Sequence, residues 1–91
     1  MKNMDKRLEQ KIGEKIQEAL ANISEINQIA RALDKKRADS QNFKYGIIIG
    51  RLYNSFYYQS RRILKRDPTR EEFSEFLTIL SKRQSEILKS L

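Results

Sequence analysis

Between Met4 and Leu33 the apolar residues recur with the period of a helix, and almost nothing in the stretch can stop one. Ile12, Ile16, Ala19, Ile23, Ile26, Ala30 and Leu33 follow one another at alternating steps of four and three residues. That spacing keeps them on one side of an α-helix, as in the seam of a coiled coil. Leu8, Leu20 and Ile29 widen the stripe toward the breadth a bundle core needs. Gly13 is the one weak helix former between Asp5 and Asp34, and the stretch has no proline. The pattern predicts one long helix over about 4–34, roughly 45 Å from end to end.

Two interruptions divide the rest of the chain. Asp34-Lys-Lys-Arg-Ala-Asp-Ser40 is polar except for Ala38, and Asp39 or Ser40 can cap a following helix through a side-chain oxygen. The segment after it is rich in aromatic and branched residues, and Ile47–Ile49 has strand propensity. Strict alternation is missing, however, and a lone strand has no partner, so a second helix is expected over about 40–66. Pro68 then disfavours helical geometry at Asp67. Either Thr69 with Glu72 forms a capping box, or Asp67 caps with Pro68 in the first turn. A third helix is expected over about 69–90, with Phe73, Leu77, Leu80, Gln84, Ile87 and Leu91 as its seam and Phe76, Ile79 and Leu88 broadening it. Gln84 either fixes register or lies at a wet helix end. Helices joined by short connections imply an all-α domain over 1–91, a three-helix antiparallel (up-down-up) bundle, with a helical dimer as a variant.

The chemistry open to this chain is narrow. Its 91 residues include no histidine and no cysteine. The commonest general base, the commonest metal ligand and the thiol nucleophile are therefore missing. Neither a phosphate-cradling glycine loop nor the Glu-x-x-His pattern of di-metal bundles occurs. Glu71, Glu72 and Glu75 could suggest a carboxylate cluster, but their place at a helix start explains them through the helix dipole. The same acids oppose major-groove reading by the third helix. No enzyme, cofactor or metal is expected. The start of the chain is polar and the longest apolar run is Ile47-Ile48-Ile49, so neither a signal peptide nor a spanning helix is expected, and the cytoplasm is the simplest location.

The net charge of +7 is unevenly spread. Residues 1–33 amount to +1, residues 34–66 to +7 and residues 67–91 to −1; six of the eight aromatics also lie in the middle segment. On a helical wheel, Tyr45, Ile49, Leu52, Phe56, Ser60 and Ile63 form the core face of the second helix. The opposite face holds Lys44, Arg51, Tyr58, Arg61, Arg62 and Lys65, extended by Lys35, Lys36 and Arg37 at one end and Arg66 at the other. Cations along a rigid edge neutralise phosphates, and an exposed aromatic can stack on an unpaired base. These ten residues are the candidate nucleic-acid-binding set, for RNA or DNA. A solvated face that keeps a small domain soluble is the bland alternative, and peripheral membrane contact is the least favoured.

Gly46 and Gly50 have the spacing that permits close approach of another helix, and Tyr53 and Tyr57 adjoin them. This strip is the candidate surface for helix packing or oligomerisation, and it supports the second reading of the chain, an adaptor or assembly subunit that docks on a protein or on its own copy. The turn Asp67-Pro-Thr-Arg-Glu-Glu72 resembles turns between helices in many unrelated proteins, some sigma-factor regions among them. It is a capping solution, and it implies no function.

Overall fold

A computed structural model describes residues 4–91; the polar start read at residues 1–3 lies outside the described residues. Among the described residues there are five helices and no strand: α1 (Lys6–Ala21), α2 (Ile23–Leu33), α3 (Gln41–Leu64), α4 (Arg70–Lys82) and α5 (Gln84–Lys89). The all-helical expectation holds. Two of the three expected helices are nevertheless broken.

The expected helix over 4–34 begins at Lys6, where the Asp5 side chain accepts the Arg7 N–H at 2.8 Å, and it is interrupted at Asn22. The Asn22 amide Nδ2 donates to the Glu18 carbonyl at 2.8 Å, the acceptor that its own N–H would use in a continuous helix. That N–H turns instead to the Ala19 carbonyl at 3.2 Å. The competition comes from a short polar side chain, with no glycine or proline involved. The expected helix over 69–90 is likewise interrupted at Arg83, whose N–H is shared between the Ile79 and Leu80 carbonyls. Gln84 opens α5 in an exposed position, so it lies at a wet helix end and takes no part in a buried seam.

The connections match their residues more closely. Asp34 closes α2, and its side chain accepts the Lys36 N–H at 3.1 Å. Ser40 caps α3, accepting from Phe43 N–H. At the start of α4 the capping box is formed by Thr69 and Glu72, which decides between the two caps. Glu72 also receives both terminal nitrogens of Arg66, at 2.8 and 3.1 Å, although its side chain is almost completely buried.

α3 is the element the others pack on. Its buried residues are Ile48, Leu52, Phe56, Gln59 and Ser60, against Leu8, Ile12 and Ile16 of α1, Ile26 of α2, Phe76 and Leu80 of α4 and Ile87 of α5. Phe56 stacks on Phe76 with ring centroids 4.4 Å apart and the planes 3° from parallel. Truncating either ring would cost about 3–5 kcal/mol. The ends are tied by Met4 N–H to a Glu75 carboxylate oxygen (3.1 Å) and by the Gln41 side-chain amide to the Leu88 carbonyl (2.6 Å). The molecule measures 40 × 23 × 21 Å.

Several core assignments shift. The buried line of α3 runs closer to Ile48 than expected, leaving Tyr45, Ile49 and Ile63 only partly covered. Leu33 and Leu77 are exposed (70% and 48%) although both belong to the expected seams. After Asn22 the buried positions are Ile26 and Ala30, and Leu33 lies at the end of its helix. In α4 the buried line passes through Glu72, Phe76 and Leu80, one residue out of phase with Leu77. Gln59 is buried despite its amide, which serves as an acceptor for Arg62 Nε at 3.1 Å.

Candidate nucleic-acid interface

Three of the candidate cations, Lys35, Lys36 and Arg37, are exposed in the turn before α3. Lys44, Arg51 and Tyr58 then follow at intervals of seven residues, which places them in a line along one flank of α3. Lys65 continues the interval just past the helix end. From Lys44 to Lys65 the line covers about 31 Å. Arg62 lies on the same flank, whereas Arg61 is rotated away from it toward Tyr57, with its guanidinium 5.6 Å from the ring centroid.

Charge balance separates these residues more sharply than position does. Arg37 pairs with Asp34, Arg51 with Glu25 of α2 at 3.0 Å, Arg61 with Asp67 at 2.6 Å and Arg66 with Glu72. The Arg37 guanidinium holds the Asp34 carboxyl below its ordinary range. Asp67 and Glu72 raise Arg61 and Arg66 in the same way. Hydrogen bonding from Arg66, with help from the Thr69 backbone, keeps the Glu72 carboxyl low against the opposing effect of burial. Most of these pairs are exposed and contribute little to stability. They do occupy the cations that form them.

Lys35, Lys36, Lys44, Arg62 and Lys65 make no ion pair among the described residues. Tyr58, one turn before Arg62, stands 61% exposed, and no aromatic ring among the described residues meets it. The candidate set of ten thus resolves into four arginines with carboxylate partners, five cations without, and one exposed ring. Sequence counting cannot see this division. Glu25 and Arg51 are 26 residues apart, and no local pattern announces their meeting.

The other flank of α3 holds no charged side chain until Arg61 near its C-terminal end. A side chain added at Gly46 or Gly50 would meet nothing within 4 Å, so neither glycine serves close packing inside this chain. Tyr53 and Tyr57 stand beside them with centroids 5.2 Å apart, and Tyr53 meets Phe73 of α4 edge-on at 6.1 Å. A hydrogen bond with Tyr53 raises the Tyr57 phenol above its ordinary value. Tyr53 and Leu77 are both close to half exposed.

Glu71, Glu72 and Glu75 do not converge: Glu72 turns to Arg66 and Glu75 accepts from Met4. Among the described residues no group of three or more carboxylates is placed to hold a metal ion, and no helix is long and apolar enough to cross a membrane. Fold and site together define an all-helical chain with a cation-lined flank on α3, the helix to which α1, α2 and α5 all dock. The chain matches no family model, no curated protein and no solved structure.

Proposed function

We propose that this chain is a non-catalytic, cytoplasmic nucleic-acid-binding domain that grips the backbone of RNA or DNA along one flank of α3. In this reading α1–α2, α3 and α4–α5 form an up-down-up bundle of three layers. The observation that carries the proposal is the set Lys44, Arg62 and Lys65, three cations on one flank without carboxylate partners, with Tyr58 exposed among them. The other arginines of α3, Arg51 and Arg61, are paired. Unpaired cations on a rigid helix release phosphate counterions at little reorganisation cost, and Tyr58 supplies a face for an unpaired base.

The test is fluorescence anisotropy of a labelled single-stranded oligonucleotide at low and moderate salt. Affinity that falls steeply with salt, and falls again in an Arg62→Glu variant, is the expected result. Binding indifferent to salt, or no binding at low salt, rejects the reading.

A second reading rests on the flank of Gly46 and Gly50. Open space over Gly46 and Gly50, on the flank that carries the exposed Tyr53, favours an assembly role in which a second copy docks there. Light scattering that returns a strict monomer across the accessible concentration range removes it.

A further inference from the structure

α1 and the end of α3 leave an open cleft of about 490 Å³ between them. Arg7, Lys11 and Glu14 line it from one side, Arg62, Ile63 and Lys65 from the other. Four cations therefore face a space that holds one carboxylate. Two of them are steadied by acids close by in sequence: Arg7 by Asp5 through two hydrogen bonds of 3.1 and 3.0 Å, and Lys11 by Glu14 at 3.1 Å. The other two bear the uncompensated charge. Arg62 is held by Gln59, itself buried, through Nε alone, and no contact among the described residues occupies its two terminal nitrogens. The Lys65 ammonium has no partner among the described residues.

Lys65 is also the one described non-glycine residue with positive φ (φ 62°, ψ 28°). Helices commonly end on this left-handed conformation, and glycine is the residue that adopts it without a side-chain penalty. A lysine there retains strain and brings an ammonium to the cleft. Forked guanidinium groups beside point-like ammonium groups form a donor set suited to the oxygens of a phosphate.

We propose that this cleft binds a phosphate group, with Arg62 and Lys65 as its principal ligands and Arg7 and Lys11 closing it from α1. The inference rests on the nucleic-acid reading and deepens it: the bound strand leaves the flank of α3 at Tyr58 and delivers a phosphate between α3 and α1. A phosphate of a strand and a free phosphate share this chemistry, and two probes separate them.

The first probe is inorganic pyrophosphate, titrated into the ¹⁵N-labelled full chain at low salt. Saturable shifts confined to residues near 7–14 and 59–66 are expected, lost in Arg62→Gln and in Lys65→Gly and kept in Lys89→Glu, which removes more charge at an exposed site on α5. Lys65→Gly relieves the left-handed lysine, so its thermal midpoint is expected to rise while binding falls, which separates lost ligation from lost folding. Shifts scattered over all basic side chains, or unchanged in Lys65→Gly, overturn the site. So does a polyglutamate peptide that displaces pyrophosphate at equal charge concentration, since it would mark an acidic-peptide site.

The second probe is the single-stranded oligonucleotide, for which an Arg7→Glu/Lys11→Glu variant is expected to lose about tenfold in affinity. Binding weakened by Lys44→Glu and untouched by that variant removes the cleft and leaves the nucleic-acid reading intact. Pyrophosphate saturation without oligonucleotide binding does the reverse.

Discussion

The two flanks of α3 are made of opposite materials, although they belong to one helix and share one buried face. One carries Lys44, Arg51, Tyr58 and Arg62 and meets α1 and α2 through the Arg51–Glu25 pair and the cleft beside Arg62. The other carries Gly46, Gly50, Tyr53 and Tyr57 and meets α4 through Phe73. The first has long side chains with charge in excess of its local partners. The second has a bare backbone at its glycines and rings that are only partly covered. The lesson is that neither position on the wheel nor residue type alone defines a binding surface. Arg51 and Lys44 share a flank, yet one has its counter-charge within the fold and the other does not.

Experiments can break that contrast or sharpen it. The largest effect is expected from reversing Lys44, Arg62 and Lys65 to glutamate together. Oligonucleotide affinity should drop about a hundredfold at low salt, and the slope of log K against log salt should shrink by about 2, in line with some 0.7 per lost contact to a single strand. Titrations at several salt concentrations measure both. Reversal of the paired Arg61 should do far less, and an equal loss would erase the distinction between paired and unpaired cations.

Next in size is Tyr58→Ala, expected to weaken binding about tenfold through loss of a stacking face. Tyr53→Ala, on the flank of Gly46 and Gly50, should leave oligonucleotide affinity unchanged in the same anisotropy assay.

The corner that seats α4 against the second flank can be tested by pH. Arg66 keeps Glu72 ionised below the ordinary carboxylate range, so its contribution is fully present above the unfolded carboxylate value. That contribution is lost as pH falls through the lower folded value. Glu72→Gln should cost about 1 kcal/mol near neutral pH through the weakened capping box and lost pairing. The gap between the proteins should narrow as pH falls through and below the ordinary carboxylate range, as followed by chemical denaturation. A gap independent of pH would show that the carboxylate charge is irrelevant to the corner.

The smallest effect concerns the glycines. Gly50→Ala should stabilise the fold by about 0.5–1 kcal/mol, since the site is helical and the space above it is open. If light scattering detects a dimer of the parent chain, the same variant should weaken it.

Residues with local consequences were legible in the sequence. Ser40 and the Thr69–Glu72 pair announced two helix starts because their partners lie three residues away. The period of the apolar residues established a helical fold, and the segment count located the basic region. The break at Asn22 was not legible, because asparagine fits a helix interior unless its amide captures the carbonyl its own backbone needs. Pairings across helices, such as Arg51 with Glu25, depend on tertiary placement and leave no trace in spacing. Arg7 and Lys11 were masked for a simpler reason: Glu9 and Glu14 cancel them in any count over the first segment. Their four-residue spacing, which puts both on one side of α1, was the available signal.

The interruption at Asn22 also fixes which part of the chain can exist on its own. A continuous helix of some 30 residues could hold appreciable helicity as a free peptide, whereas pieces of 16 and 11 residues are near or below the length at which isolated helices persist in water. The first third of the molecule therefore draws its order from α3. During synthesis its two helices gain the face they pack on only once α3 has emerged.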